Sequence, residues 1–240
     1  MSYLPIFIDV SGRTCVVIGG GVIAERKVRS LIEAGAAVVV ISPEVTAGLT
    51  AMVDAETISH LQRAYRHGDL VGAFLAFAAI GDRATAQAAA AEARERGVPI
   101  NVADVPELCA FMAPAVVHRG GLRIAISTGG ASPALARKIR EELEERFGPE
   151  YESTVDFLAA ARRWLRSHQP DGGTRALLLG ALVNSDLLQV FKRGDLAGAE
   201  AIARRVLGAS FADLGFEMPR PSATDGRQTA ITNGRASESR

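Results

Sequence analysis

Five β-favouring residues, Thr14-Cys15-Val16-Val17-Ile18, run straight into Gly19-Gly20-Gly21, and these run straight into a stretch of helical composition. No other feature of the chain narrows its fold as far. A buried strand, a glycine turn and a helix in immediate succession open a βαβ unit, which places the strand in a parallel sheet covered by helices. Val22 to Ala34 carries Glu25, Arg26, Lys27 and Arg29 among apolar residues, and Gly35 is placed to end it. Ala37 to Ile41 is the next buried strand, closed by Ser42-Pro43. The theme repeats with apolar runs at Ile58 to Tyr65 and Ala73 to Ile80. An alanine-rich helix from Asp82 to Arg96 ends at Gly97, and a strand resumes from Pro99 to Val102. The class is α/β.

Within the turn the spacing is G-x-G-x-x-A, and each small residue has a separate task. Gly19 permits the tight bend, Gly21 lets a pyrophosphate approach the backbone, and Ala24 lets the helix pack against the sheet. The N–H groups of Val22 and Ile23 then face the phosphates, aided by the helix dipole. The plainer alternative is a glycine-rich turn that binds nothing. An acidic residue is expected at the tip of the second strand, about 20 residues past the glycines, to hold the ribose. Pro43-Glu44 stands there, slightly late, with no arginine beside it to take a 2′-phosphate, which favours NAD. Glu44 also fits as the first-turn acid of a following helix.

After about residue 110 the pattern changes. Ala115 to His118 and Leu122 to Ser127 read as a hairpin across Arg119-Gly120-Gly121. Ser132 is a natural N-cap and Pro133 a natural first residue for a helix reaching about Phe147. Glu150 to Leu207 is helical throughout, with loops around Gln169 to Gly173 and at Arg193-Gly194-Asp195. The last twenty residues are polar and bury too little apolar surface to offset the entropy of ordering. The expected divisions are 1–112, 113–148, 149–218 and a disordered tail over 219–240.

Charge and cysteine content remove whole classes. Lysine and arginine number 27 against 27 acidic residues, so no net field attracts nucleic acid or an anionic membrane. Cys15 and Cys109 both sit in apolar surroundings and read as small core residues, not as a disulfide or a metal clamp. No apolar run reaches the roughly 18 residues that a membrane helix needs, and the N-terminus lacks a signal-peptide layout, so a cytoplasmic protein is expected. His60, His67, His118 and His168 are scattered without ligand spacing, so no metal site is expected. The G-x-S-x-G nucleophile elbow is missing.

Two further segments could carry chemistry. Asp104, in Asn101-Val102-Ala103-Asp104-Val105-Pro106, lies just past the carboxyl end of a strand, where open α/β sheets place their ligands. An aspartate there could accept a proton, with Asn101 close by; equally, it could be a turn aspartate ahead of Pro106. Ser127-Thr128-Gly129-Gly130-Ala131-Ser132-Pro133, followed by Arg137, Lys138 and Arg140, would suit a ligand rich in carboxylates. The same residues also describe a capped helix with a solvated basic face, balanced by Glu141, Glu142, Glu144 and Glu145.

In order along the chain, Leu4-Pro5-Ile6-Phe7, Val17-Ile18-Gly19-Gly20-Gly21, Ala24-Glu25-Arg26-Lys27, Asn101-Val102-Ala103-Asp104, Phe111-Met112-Ala113-Pro114-Ala115 and Ser127 to Arg137 resemble the siroheme synthase family. The likeness covers residues 4 to about 147. It implies an N-terminal Rossmann-type parallel sheet binding NAD over 1–112, a central strand-helix dimerisation segment over 113–148, a small C-terminal helical domain and a homodimer. It also implies oxidation of precorrin-2, a tetrapyrrole, to sirohydrochlorin. In many members ferrous iron, as substrate, is then inserted at the same site. By motif Asp104 falls on the family's catalytic aspartate, and Val22-Ile23 and Pro43-Glu44 fall on its dinucleotide contacts. Asn101, Ser127, Thr128, Gly129 and Arg137 become candidates for holding the substrate, with Arg119, Arg123, Lys138 and Arg140 as further cations. Thr128 stands where some relatives have serine, and the hydroxyl survives. The methyltransferase fused to some relatives is expected on a separate protein. Two rivals predict otherwise: a chelatase acting on sirohydrochlorin alone, and an NAD(H)-sensing module with no chemistry.

Overall fold

A computed structural model describes residues 3–217. The chain divides into two compact units. The first runs to Pro114 and takes in Ser127–Pro133; the second takes Ala115–Ile126 and the described residues from Ala134 onward. Residues of the expected central segment, 113–148, are thereby shared between them. The tail over 219–240 lies outside the described residues.

The first unit is a five-stranded parallel sheet. Its strands are β1 (Thr14–Ile18), β2 (Ala37–Ile41), β3 (Ser59–Leu61), β4 (Leu75–Ala78) and β5 (Ile100–Val102), in the spatial order β3-β2-β1-β4-β5. Alternation along β1 explains why both faces are covered. Cys15 and Val17 point to one core, with Ala24, Val28 and Leu31 of helix α1 (Val22–Glu33). Val16 and Ile18 point to the other, with Ala86, Ala89, Ala90 and Ala93 of helix α3 (Arg83–Arg96). Alanines at these positions let α3 lie close on the sheet. Asp82 caps α3 by accepting from Thr85 N–H at 2.8 Å, and Gly97 ends it at φ 68°. Helix α2 (Ala47–Asp54) follows β2 and buries Leu49. Chain order reverses between β1 and β4, and the crevice at that reversal is where such sheets take their ligands.

One charged side chain is buried inside this unit. Glu92, 1% exposed, accepts from the Tyr65 hydroxyl, from Leu70 N–H at 3.2 Å and from Arg96 Nε at 2.6 Å. Burial works to raise its carboxyl, but the bonds from Tyr65, Arg96 and the backbone of Gly68 and Leu70 outweigh it and hold it below the usual 4.5. Glu92 therefore ties the β3–β4 connection to α3. Because the folded chain depresses this carboxyl, its contribution to stability is complete above the ordinary carboxylate range and disappears as pH falls through the folded value. Glu92→Leu strands the donors gathered on the carboxylate and is expected to cost about 2–4 kcal/mol in urea unfolding at neutral pH. The gap between variant and parent should close in acid. A gap that stays constant down to acid unfolding would mean that the carboxylate contributes only as packing.

In the second unit, β6 (Ala115–Arg119) and β7 (Leu122–Ile126) form the antiparallel hairpin, turning at Gly120, φ 53°. Arg119 reaches the end of helix α4 (Pro133–Arg146), donating to Glu144 O at 3.1 Å and Phe147 O at 2.9 Å, where unpaired carbonyls need a cation. Helices α5 (Glu150–His168), α6 (Gly172–Val183), α7 (Leu187–Lys192), α8 (Leu196–Leu207) and α9 (Phe211–Leu214) follow. The fully buried Phe157 of α5 is central to their core, meeting the rings of Phe191, Phe211 and Phe216 at 5.3–5.9 Å. No described helix is long and apolar enough to cross a membrane.

Candidate active site

The glycine turn is held in place by the strands beside it. Gly19 N–H donates to Ile41 O at 2.9 Å, and Ala79 N–H donates to Ile18 O at 2.7 Å. Gly19 has φ 117°, and a Cβ there would lie 2.2 Å from Ala79 O, so only glycine lets the turn pass over β4. A Cβ at Gly20 would lie 1.9 Å from Glu44 O. Gly21 is different: a Cβ there would meet nothing within 4 Å. Its backbone is extended, it begins α1 as N-cap, and no side chain caps the helix. Open space, bare helix N–H groups and exposed Val22 and Ile23 make a cradle for a pyrophosphate that a side chain at 21 would fill. These residues fit a dinucleotide.

The strand-tip loop carries exposed Pro43 and Glu44 next to the same turn. Ser42 Oγ donates to Glu44 O at 2.6 Å, and His60 Nε2 meets Ser42 O at 2.9 Å. Glu44 borders the turn, its carbonyl against Gly20, but it is not a first-turn acid of α2: that helix begins at Ala47 behind its cap Thr46, two residues further on, and has no acid in its first turn.

Asp104 stands two residues past β5, on the same sheet edge as the turn. Only β4 separates β5 from β1, a span of about 10 Å. The aspartate is exposed at φ 59°, one of two non-glycine residues at positive φ among those described. Aspartate tolerates this conformation better than most residues, yet it carries strain that ordinary turns avoid. Its carboxylate makes no hydrogen bond or ion pair with another described residue. Asn101 fixes the neighbourhood. Its Nδ2 donates to Phe111 O at 3.0 Å and reaches Cys109 Sγ at 3.6 Å, leaving its carbonyl oxygen for a ligand. Cys109 is half-buried and more engaged than a core filler, accepting from Val102 N–H at 3.2 Å.

Lys27, a residue to which sequence reasoning gave no role, lies 5.1 Å from the Phe77 ring centre, which itself meets Phe111 edge-on. Burial, then Arg26, pushes its amine below the ordinary lysine value, against a smaller opposing pull from Cys109. Only the A-E-R-K run signals it in the sequence.

The Ser127–Pro133 loop belongs to the first unit and closes on itself. Thr128 Oγ1 accepts from Ser132 N–H at 3.0 Å, and Ser127 Oγ accepts from Gly129 N–H at 3.1 Å. Gly129 and Gly130 have φ 63° and 88°, which explains the pair. Arg137 is exposed on α4 in the second unit, where Arg140 binds Glu144 at 2.6 Å and Arg119 is occupied by carbonyls.

Two family models match the sequence, one described as "Putative NAD(P)-binding" over residues 6–115 and one as "Sirohaem biosynthesis protein central" over 119–146. The siroheme synthase of Methylococcus capsulatus is 38% identical over 222 residues, 92% of this chain and 46% of its own length. That of Stutzerimonas stutzeri is 44% identical over 144 residues, 60% of this chain and 31% of its own. The chain thus spans less than half the length of these curated relatives. A solved structure of a protein described as SirC, precorrin-2 dehydrogenase, is similar with TM-score 0.68 at 25% identity, covering 83% of this chain and 100% of that one.

Proposed function

The chain belongs to the siroheme synthase family, and from that premise we propose that it oxidises precorrin-2 to sirohydrochlorin with NAD. One juxtaposition carries the reading: an open, uncapped glycine turn and a free aspartate in left-handed conformation occupy one sheet edge, two strands apart.

The oxidation removes two hydrogens from the tetrapyrrole, one as hydride and one as proton. NAD, when bound, supplies the hydride acceptor. Val22 and Ile23 offer N–H groups to its pyrophosphate, and Glu44 offers a carboxylate to its ribose, a choice that favours NAD over the 2′-phosphorylated form. The Asp104 carboxylate takes the proton. Asn101, Ser127, Thr128, Gly129 and Arg137 belong to the same proposal as substrate contacts. So do a homodimer formed through residues 113–148, an NAD-binding domain over 1–112, a helical domain over 149–218, a cytoplasmic location and a separate methyltransferase upstream.

The name siroheme synthase, borne by the relatives, favours a second activity: insertion of ferrous iron, a substrate, into sirohydrochlorin. Two pyrrole protons must leave as the metal enters, and the unpaired Asp104 carboxylate is suited to receive them in turn. Anaerobic precorrin-2 with NAD should yield NADH and the sirohydrochlorin spectrum in equal amounts. Ferrous or cobaltous ion added afterwards tests insertion alone. Metal insertion without any NADH would leave only the chelatase, and NAD binding without turnover would leave only the sensor.

A further inference from the structure

Glu25 lies in the first turn of α1, and its carboxylate is turned toward another element. Its Oε2 accepts from Thr46 Oγ1 at 2.5 Å, and its Oε1 accepts from Arg29 Nη2 at 2.5 Å and Nε at 3.1 Å. Thr46 is the N-cap of α2, accepting from Leu49 N–H at 3.2 Å, and its own N–H donates to Gly20 O at 2.9 Å. A Cβ at Gly48 would come within 2.2 Å of Glu25 Oε1, so the carboxylate lies against the first turn of α2. Gly20 itself packs on Glu44 O too closely for any side chain. The glycine turn, α1 and the loop bearing Glu44 are therefore closed into one ring of contacts through Thr46 and Glu25.

Resting on the dinucleotide reading above, we propose that Glu25 is a positioning residue for NAD. It touches no ligand; it fixes the separation between the turn that takes the pyrophosphate and the loop that takes the ribose. The Thr46 hydroxyl, then Arg29, hold its carboxyl below the ordinary glutamate value, so the latch is charged and closed at neutral pH. A dinucleotide must satisfy both ends of the crevice together, so freedom between them is lost on binding and weakens it.

The test measures NAD affinity by titration calorimetry on the full chain without tetrapyrrole, beside its thermal unfolding. Glu25→Ala should weaken NAD by roughly tenfold, Thr46→Val by about threefold, and Thr46→Ser should restore parental affinity. Gly48→Ala is the decisive variant. Its methyl displaces the Glu25 carboxyl while alanine favours the helix, so affinity should fall with no loss of melting temperature. Parental affinity in both Glu25→Ala and Gly48→Ala would overturn the proposal. So would loss of affinity only in step with loss of melting temperature across the series. A parent chain that binds no NAD would instead remove the dinucleotide reading on which this rests.

Discussion

Asp104→Asn is expected to abolish precorrin-2 oxidation, lowering kcat by roughly 10³-fold, while NAD binds as tightly as before. Asparagine is the right replacement because it also tolerates the left-handed conformation at φ 59°, so the backbone stays where it is. The change removes proton-accepting capacity and little else, since the carboxylate has no hydrogen-bond or ion-pair partner among the described residues. Asp104→Ala should be equally inactive and, in addition, less stable by about 1 kcal/mol, because alanine has no polar side chain to ease that conformation. Kinetics and denaturation together separate the two effects. Turnover within a few-fold of the parent in Asp104→Asn would take the aspartate out of the mechanism and return it to the role of a turn residue.

The second large effect concerns two glycines that look equivalent in sequence and are opposite in structure. Gly19→Ala must place a methyl 2.2 Å from Ala79 O at φ 117°, and neither the strand end nor the turn can yield cheaply. Strain and overpacking together should cost about 2–5 kcal/mol, read as an earlier midpoint in urea. Gly21→Val meets no atom within 4 Å and keeps an extended backbone, so unfolding should move by no more than about 1 kcal/mol, the cost of a less favourable N-cap residue. Yet it fills the cradle, and NAD affinity should drop by about 100-fold or more, because the pyrophosphate can no longer reach the helix N–H groups. If both variants lose stability alike and bind NAD alike, the crevice lies elsewhere on the unit.

Much of the first unit was legible because buried parallel strands are short apolar runs and because α1 and α3 stop at glycines, Gly35 and Gly97. β1 and β2 fall where their apolar runs do, and α3 is bounded by Asp82 and Gly97 as its capping residues require. The run Ile58 to Tyr65 is longer than the strand it contains, Ser59–Leu61. Tyr65 leaves the sheet because its hydroxyl is drawn to Glu92, a partner 27 residues away that no local pattern announces. Helix α2 is equally quiet in sequence, resting on Thr46 as cap and one buried leucine.

At the candidate site, residue types were readable and conformations were not. The glycine spacing marked the crevice, and the strand end marked Asp104. Nothing local says that Asp104 adopts positive φ, that Gly20 is obligatory, or that Thr46 closes on a carboxylate 21 positions earlier. Such facts come from contacts between elements, and a sequence records those only through the residues they tolerate.

The bond from Thr46 N–H to Gly20 O has a thermodynamic corollary. A recess closed by main chain against main chain has its shape before any guest arrives, so the loss of motion is met once, when the polypeptide folds. Capture of the coenzyme should then resemble a key entering a cut lock: modest heat-capacity change, little shift in amide exchange around the recess, and a rate set by encounter instead of rearrangement.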